Sequence, residues 1–574
     1  MKKYMLLILM FTLLFPSCKD DSSGPSDPGD KKGPEMTSTM PVDAATRVSV
    51  TTGIFVYYNE SIVLDDSYVI TVNGQPATAS ASGSKLTITI TLVAGTKYNI
   101  SISDKSVKDA SNNYAAALSF SFTTKYPQPS DGKYEAEYGL WSTGNSVLTE
   151  INGYSGTGYV GGFHNATDFV TIEMENITAG KYDLLVGYST ANYGGKICNV
   201  DVNGIQGTLE LSISTGFSEK KFATVVLKTG NNLVKIIPNW TWFLIDYVKI
   251  IPNPASDAPF NIDASLVTPS PSSQAVKLYN FLKTNFMTNI ISGTMAAHST
   301  NINEAQWVYD NTGKWPALTC FDFIDHPIPN SGSVQYNAPF NLGKAWWNNN
   351  GIVALMWHWR DPLSKDGAFY TANTTFDVSK ITNTSSQEYI EMVKDIDTVA
   401  QYLKDFRDAG IPVIWRPLHE AAGGWFWWGA KGAAPCKALW QLMYDRMVNY
   451  HGLNNLIWVW TTNTNADALD WYPGHNYVDI IGMDIYPGEN QHASQYFEFY
   501  RVKEKFEGRK IIALSECGSI PDPAQMKQYG DVWSWFMPWN GDFTRSDTHN
   551  GVNWWKKVFG YSYVITRDKM PDLH

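Results

Sequence analysis

Residues 37–125 contain runs in which apolar and polar positions alternate. Leu86, Ile88, Ile90 and Leu92 are apolar, and every position between them is Thr. Because successive side chains of a β-strand point to opposite faces, this alternation is typical of a strand with one buried face. Asn-Gly and Ala-Gly pairs separate such runs along the segment. We therefore predict an all-β module over residues 37–125.

Residues 131–253 form a second series of short apolar runs, which glycine-containing turns separate. The turns include Val202-Asn203-Gly204 and Gly230-Asn231-Asn232, and such Asn/Gly sequences favour tight reversals between strands. Pro- and Ser-rich linkers bound this series at residues 126–130 and 252–271. The pattern predicts a separate β module over residues 131–253.

The C-terminal part alternates apolar runs with amphipathic patterns of helical period. The clearest helix is predicted over residues 386–408, where apolar residues recur at spacings of three and four before Gly410 and Pro412. Eight such βα units favour a (β/α)8 barrel, which we place at residues 265–565. The strand-type runs are Ile290–Met295, Ala317–Ile324, Ile352–Trp359, Pro412–Leu418, Leu456–Thr461, Val478–Tyr486, Lys510–Cys517 and Val532–Trp539.

The N-terminus has the pattern of an export signal. Lys2 and Lys3 precede an apolar run of 12 residues from Tyr4 to Phe15, which is shorter than the roughly 20 residues that span a bilayer. The following Leu-Phe-Pro-Ser-Cys18 resembles a bacterial lipoprotein signal, in which the chain is cut before a Cys that carries lipid. The resemblance implies a signal peptide at 1–17 and lipid on Cys18; the alternative is a secretory signal with an incidental Cys.

Residues 18–36 are mostly Asp, Ser, Gly, Pro and Lys, a composition that predicts a flexible tether. Asp20 and Asp21 follow the Cys closely and resemble the surface-export signal of lipoproteins from Gram-negative glycan degraders. We therefore expect an outer-membrane lipoprotein that is attached to the membrane through its lipid and faces the cell exterior. The periplasmic face of the same membrane is the alternative.

Composition excludes two classes of protein. A hydrophobic fraction of 44% excludes a mostly disordered chain. A net charge of −11, without any block of basic residues, leaves no electrostatic footprint for nucleic acid. No Cys lies at zinc-site spacing, so we expect buried free thiols and leave disulfide pairing open. Only three of the 22 Trp precede residue 260, so the aromatic excess lies in the barrel, where it indicates a Trp-rich core or stacking faces for an uncharged ligand such as a sugar.

Two of the barrel strands end near a glutamate. Glu420 follows the fourth strand and Glu516 lies at the end of the seventh, so both are predicted at the mouth where barrel active sites form. Two facing carboxylates are the machinery of glycoside hydrolysis, one as proton donor and one as nucleophile or base. The sequence does not give the distance between them, which decides between retention and inversion of configuration.

The segment Arg416-Pro-Leu-His-Glu-Ala-Ala-Gly-Gly-Trp-Phe-Trp-Trp-Gly429 resembles the acid/base segment of glycoside hydrolase family 26. Ser515-Glu-Cys-Gly518 resembles the nucleophile strand of that family, and the likeness covers roughly residues 265–565. Family 26 enzymes are mainly retaining β-1,4-mannanases. Ala421-Ala422 departs from the Met-Asn of many members, which leaves the sugar preference near these positions open.

The resemblance implies roles for individual residues. Glu420 would be the general acid and then the base, Glu516 would be the nucleophile, and Tyr486 would hold Glu516 through its hydroxyl. Asp484 would orient these groups, or else be a packing residue, and no cofactor is expected for catalysis. The residues expected to contact substrate or orient the carboxylates are His419, His358, Trp425, Tyr486, Trp539, Asp484, Arg360 and His298.

Residues 37–125 resemble a bacterial immunoglobulin-like spacer, and residues 131–253 resemble carbohydrate-binding module family 35, a jelly-roll β-sandwich. In that family the opening Glu and closing Asp often hold a structural calcium, which would here involve Glu135, Glu137 and Asp246 unless these are simply solvated. Trp240 and Trp242 are candidates for stacking on sugar. On one strand both would face the same way, whereas a bend between them would turn one inward.

Together these features predict a retaining endo-β-1,4-mannanase whose partners are β-mannan polysaccharide and, through its anchor, the membrane. We expect a monomer. The alternatives are the same mechanism on another β-glycan, such as xylan or mixed-linkage glucan, and a non-catalytic glycan-capture lipoprotein. Endo or exo action and tolerance of galactose branches depend on loop shapes that the sequence does not specify.

Overall fold

A computed structural model of the protein describes residues 31–126, 128–297, 301–325, 338–364 and 368–574. The chain divides into two units, Met1–Pro129 and Ser130–His574. Cys18 with the predicted signal peptide, and His298, lie outside the described residues.

The first unit is a β-sandwich, as the alternating pattern predicts. One sheet has the strand order β1-β3-β8-β7 and the other β2-β11-β9-β5-β6, while β4 pairs with β10. Strand β8 buries Leu86 and Ile88, and Val56 and Phe122 meet them in the core. The strands are β1 Met36–Met40, β2 Ala45–Val48, β3 Ile54–Tyr58, β4 Val63–Leu64, β5 Ile70–Val72, β6 Gln75–Pro76, β7 Thr78–Ser82, β8 Lys85–Thr89, β9 Lys97–Ile102, β10 Val107–Lys108 and β11 Leu118–Thr124.

The second unit begins with a β-sandwich of two larger sheets. Their orders are β14-β15-β22-β17-β20, with β12 also on β22, and β13-β16-β21-β18-β19. Val186, Val200, Val234 and Ile245 are buried in its core. The strands are β12 Lys133–Glu135, β13 Leu140–Trp141, β14 Ser146–Leu148, β15 Tyr159–Gly161, β16 Val170–Ile177, β17 Gly180–Ser189, β18 Lys196–Val202, β19 Ile205–Leu211, β20 Ser218–Leu227, β21 Gly230–Pro238 and β22 Leu244–Pro252.

Trp240 and Trp242 lie in the turn between β21 and β22 rather than on a strand. Trp242 has a φ of 72°, a left-handed conformation that ends the two-residue alternation. The expectation that a bend would turn one ring inward is wrong, because the two residues are 58% and 47% exposed.

The remainder of the second unit is a closed barrel of eight parallel strands, each near one of the eight predicted runs. Strand β23 pairs with both β24 and β30, which closes the ring, and a short β31 adds to β23 on the outside. The strands are β23 Ile290–Met295, β24 Leu318–Asp322, β25 Ile352–Met356, β26 Val413–Arg416, β27 Leu456–Thr462, β28 Ile480–Ile485, β29 Ile511–Cys517, β30 Trp535–Pro538 and β31 Val564–Ile565.

Helices cover the outside of the barrel. They are α1 Ser273–Asn285, α2 Asn303–Thr312, α3 Ala338–Asn348, α4 Gln387–Asp408, α5 Ala433–Tyr444, α6 Ala468–Trp471, α7 Tyr496–Lys505, α8 Pro523–Tyr529, α9 Asp542–Arg545 and α10 Val552–Gly560. Helix α4 is the one predicted at residues 386–408. The Ser386 hydroxyl caps it by accepting the Tyr389 N–H, and its apolar stripe of Met392, Ile396 and Val399 is buried.

Most of the aromatic excess belongs to the core. Ten Trp side chains, including Trp415, Trp458 and Trp460 on barrel strands, are less than 2% exposed. Within the described ranges, the four Cys residues are buried and unpaired. No helix among those residues is long and apolar enough to cross a membrane.

Candidate active site

Three carboxylates converge at the C-terminal mouth of the barrel. Glu516 lies on β29, Asp484 on β28, and Glu420 in the loop after β26. One oxygen from each lies within 4.8 Å of an oxygen from each of the others. In a barrel of parallel strands the C-terminal ends of all strands lie at one edge. Asp484 and Glu516 therefore meet Glu420 there, although they lie 64 and 96 positions beyond it in the sequence.

The loop that carries Glu420 is held in an unusual conformation. Leu418 and Glu420 have φ values of 48° and 52°. Residues other than glycine rarely adopt this left-handed backbone conformation, which costs about 1–3 kcal/mol for each residue. The indole N–H of Trp428 anchors the loop by donating to the His419 carbonyl at 2.9 Å. A Cβ on Gly429 would lie 1.9 Å from the Ala421 carbonyl oxygen, so only glycine permits this packing.

The same packing determines which of the two alanines, Ala421 or Ala422, is accessible from the solvent. Ala421 is fully buried beneath the loop, whereas Ala422 keeps partial exposure. Ala422, which packs partly exposed against the core, is therefore the one residue of the pair that solvent or a ligand can contact.

Glu516 is buried between two hydrogen-bond donors. An Nη2 group of Arg416 contacts its Oε1, and the Tyr486 hydroxyl donates to its Oε2 at 2.6 Å. Arg416 is itself fixed by Asp484 and by the Thr461 hydroxyl, each at 3.0 Å. These contacts hold the Glu516 carboxylate in one orientation.

Arg416 and Tyr486 both keep their protons. Burial lowers the pKa of Arg416, but the charges of Asp484 and Glu516 outweigh it and leave the pKa above its usual range. Burial and then the Glu516 charge hold the pKa of the Tyr486 hydroxyl well above 10. Both groups thus remain donors to Glu516, and both favour its ionised form.

The surroundings of Glu420 favour its protonated form. Burial and the nearby charge of Asp484 raise its pKa to about 7, against the lowering effect of Arg416 and of the Trp425 N–H, which donates to Oε2 at 3.0 Å. Burial and Asp484 also raise the pKa of Glu516, so the two carboxyl groups titrate as a pair. The pKa of Glu516, raised to about 8, is the higher of the two. We place the shared proton on Glu420 nonetheless, because both oxygens of Glu516 accept hydrogen bonds, from Arg416 and Tyr486, whereas Glu420 accepts one, from Trp425.

Two histidines form a chain beside the carboxylates. His358 Nδ1 lies 2.5 Å from Asp322 Oδ2, and its Nε2 lies 3.2 Å from Nε2 of His419. Burial, followed by the proximity of His358, holds the pKa of His419 well below 6.5, so His419 is neutral. The expectation from the sequence gave no role to Asp322, although a carboxylate at the end of a strand run could have suggested one.

The other predicted residues lie at different places around the carboxylates and histidines. Trp425 is 48% exposed beside Glu420, and the Trp539 ring lies 5.8 Å from that of His358. Arg360 is tied to the loop after β24, where its Nε donates to the Ile324 carbonyl at 2.6 Å. Tyr370, which the sequence did not single out, is half exposed and stacks on Phe426 next to Trp425.

The three converging carboxylates are close enough to hold a metal ion. Arg416, however, contacts both Asp484 and Glu516 with its guanidinium. The positive charge that balances these two carboxylates is thus supplied by the protein itself.

The sandwich module has two further groups of interest. Ser155 and Thr157 donate to Glu135, Glu137 and Asp246, which surround their loop. Burial and then the charges of Glu135 and Glu137 raise the pKa of Asp246 to about 7.

On another part of the module, the Trp242 ring lies 4.4 Å from that of His164 and 5.9 Å from that of Tyr193. With the exposed Trp240 these rings form an aromatic surface, which we call the aromatic platform.

Family models match three parts of the chain. They are the bacterial Ig-like domain at residues 30–124, carbohydrate binding module family 35 at 132–253 and glycosyl hydrolase family 26 at 267–569. A mannan endo-1,4-β-mannosidase of Thermothelomyces thermophilus is 36% identical over 456 residues, which cover 77% of this chain and 91% of that protein.

Two solved structures are also similar. The GH26-CBM35 β-(1,4)-mannanase of Podospora anserina is 34% identical with a TM-score of 0.53, covering 77% of this chain and 99% of that one. A β-mannanase from a symbiotic protist of the termite Reticulitermes speratus, complexed with gluco-manno-oligosaccharide, is 42% identical with a TM-score of 0.52, covering 55% of this chain and 99% of that one. The chain belongs to glycoside hydrolase family 26.

Proposed function

We propose that the protein is a retaining endo-β-1,4-mannanase with Glu420 as acid/base and Glu516 as nucleophile. The observation that carries this proposal is the approach of Glu420 and Glu516 oxygens to within 4.8 Å. Retaining enzymes hold their carboxyl groups about 5–5.5 Å apart, whereas inverting enzymes need about 6.5–9.5 Å to admit a water.

The surroundings of each carboxyl group suit the two steps. In the first, protonated Glu420 gives its proton to the leaving oxygen while ionised Glu516 attacks the anomeric carbon. Esterification then removes the charge of Glu516, so the pKa of Glu420 falls and Glu420 can take a proton from the attacking water. Enzymes of this family need no cofactor for catalysis.

The choice of mannan rests on the relatives, because they are named as mannan endo-1,4-β-mannosidases and β-mannanases. The site is consistent with an uncharged polymer. Trp425 and Trp539 offer apolar faces on which a pyranose ring can stack. Endo action is supported by the same relatives. The sizes of the products test endo action, and other β-glycans test the choice of substrate.

The N-terminal parts would keep the enzyme near its substrate. The aromatic platform would bind the polymer and raise its local concentration at the barrel. The resemblance of the N-terminus to a bacterial lipoprotein signal supports a lipid anchor on Cys18 in the outer membrane, facing the exterior. We also propose that the protein is a monomer. Mass spectrometry of the mature protein from cells would detect lipid on Cys18, and an unmodified N-terminus would exclude the anchor.

Calcium would occupy the group of Glu135, Glu137 and Asp246. The fit is indicated by Glu137 Oε2, which is buried and has no hydrogen-bond partner among the described residues. Burial raises the pKa of all three carboxyl groups, and the charges of Glu135 and Glu137 raise that of Asp246 further. A cation would relieve this burial of negative charge, and hard oxygen ligands suit Ca²⁺.

The first prediction concerns activity. The purified protein should release a range of oligosaccharides from galactomannan and glucomannan, and Glu516→Ala should lower kcat more than about 10³-fold because the nucleophile is gone. Glu489→Ala, at an exposed position, is the control. Reducing ends and product sizes should be followed on mannans, xylan and mixed-linkage glucan. Cleavage of xylan or glucan alone would refute the substrate, and binding without any cleavage would favour the glycan-capture alternative.

The second prediction concerns pH. Because Glu420 must be protonated, kcat/KM should fall as pH rises through about 7. In Trp425→Phe the ionised form of Glu420 loses a hydrogen bond, so its pKa and the alkaline limb should move up by about one pH unit. Trp539→Phe alters an aromatic face without touching this hydrogen bond and should not move the limb. A downward or absent shift in Trp425→Phe would contradict the role of Glu420.

The third prediction concerns calcium. Without it, the stability of the module should decrease as pH rises from about 4 to about 7, because the folded state holds the proton of Asp246 more tightly than the unfolded state does. Calcium at 100 times its Kd should add about 2.7 kcal/mol at neutral pH. Calorimetry with Ca²⁺ or EGTA would measure this, and Glu137→Gln should abolish the difference. Identical unfolding of the wild type in Ca²⁺ and EGTA would exclude the site.

A further inference from the structure

A cleft of about 640 Å³ lies between the sandwich module and the barrel mouth. On the barrel side its walls include Asp484 and Tyr486, the residues that contact Arg416 and Glu516. On the module side they include Asn199 and Gln206. The cleft therefore opens from the active site and ends on the sandwich module, and its volume is typical of a ligand site.

The module side of the cleft is a regular patch on two paired strands. Asn199 and Asp201 on β18 lie two residues apart, so their side chains share one face. Their partners across the pair are Thr208 and Gln206 on β19. The four polar side chains thus form a two-by-two patch on one face of the sheet, and all four residues line the cleft.

Packing against α7 fixes this patch relative to the active site. The Phe222 and Phe497 rings lie 4.8 Å apart across the boundary, and Arg501 donates to the Phe222 carbonyl at 2.6 Å. A Cβ on Gly207, in the middle of β19, would lie 2.8 Å from both rings. The close approach of β19 to α7 therefore requires glycine at this position, which argues against a module that drifts on its linker.

The chemistry of the patch suits an uncharged, hydroxyl-rich ligand. The side-chain amides of Asn199, Gln206 and, across the cleft, Gln491 make no hydrogen bond to any residue that the structure describes. An amide both donates and accepts, as a sugar hydroxyl does.

The three carboxylates in the cleft have partners in the protein. Glu498 pairs with Arg501 at 2.6 Å, Asp484 pairs with Arg416 at 3.0 Å, and Asp201 accepts the Gly204 N–H at 2.8 Å.

The patch also connects to the aromatic platform. The backbone N–H of Trp240 donates to the carbonyl of Ile197, which lies on β18 two residues, or about 7 Å, from Asn199. The turn that carries the aromatic platform is therefore anchored to the same strand that carries Asn199.

We propose that Asn199 and Gln206 form a distal subsite for the glycan chain, so that one chain runs from the active site across the module edge toward the aromatic platform. This proposal rests on the proposed function, since the ligand is the same β-linked polysaccharide. It makes the module a wall of the substrate cleft as well as a tether.

The test compares long and short substrates in the full-length protein. Asn199→Ala/Gln206→Ala should lower the ratio of kcat/KM for mannohexaose to kcat/KM for mannotetraose about fivefold or more, because a distal subsite contacts the longer chain and not the shorter one. Glu210→Gln, which is exposed on the same face of β19 but outside the cleft, is the matched control and should keep the wild-type ratio. Thermal unfolding would verify that the variants fold.

An unchanged ratio in the double variant would refute the subsite. If the wild type cleaves xylo- or gluco-oligosaccharides instead, the substrate proposal fails, while the same ratio on those oligosaccharides still tests the cleft. Should no oligosaccharide be cleaved, calorimetric titration of mannohexaose into Glu516→Ala decides. The double variant in that background should then bind about fivefold more weakly, and equal binding would refute the proposal.

Discussion

The catalytic site depends on the buried guanidinium of Arg416. It contacts Glu516 and Asp484 at once and is almost fully buried with them. Burial of carboxylates without such a cation would cost several kcal/mol per group, so they would take up protons instead. With Arg416 in place, Glu516 can stay ionised while Glu420, which lacks that contact, holds a proton.

The barrel makes this contact possible by bringing distant segments together. Arg416 ends β26, Asp484 lies on β28 and Glu516 lies on β29, so three parallel strands direct three charges to one edge. Trp-rich packing below them supplies the rigidity that this arrangement needs, since interiors are packed as closely as organic crystals. The same rigidity holds Leu418 and Glu420 in left-handed conformations, and in this arrangement Glu420 approaches Glu516.

Much of the fold could be predicted because its signals are local. Alternation in β8, the 3–4 spacing of α4 and eight apolar runs each depend on neighbouring residues, and the structure confirms these elements. The position of the two glutamates at strand ends follows from barrel geometry. The ion-pair partner of Glu516, by contrast, lies 100 positions away at Arg416, and nothing in either segment specifies that contact.

Other features escaped prediction for related reasons. Asp322 acquires its place through the ring nitrogen of His358, 36 residues away, so its part in the histidine chain exists only in the folded barrel. The turn at Trp242 depends on one positive φ value, which no periodicity reveals. The cleft beside Asn199 depends on how two modules pack, and linker composition carries no information about packing.

In the proposed mechanism Glu516, held ionised by Arg416 and Tyr486, forms a covalent bond to the sugar. Incubation of the protein with a 2-deoxy-2-fluoro-β-mannosyl fluoride, followed by peptide mass spectrometry, tests it most directly. If Glu516 is the nucleophile, the peptide that contains Glu516 carries one fluoromannosyl group, and the Glu516→Gln variant carries none. A stable adduct on another residue, or turnover that releases only inverted product without any adduct, would contradict it.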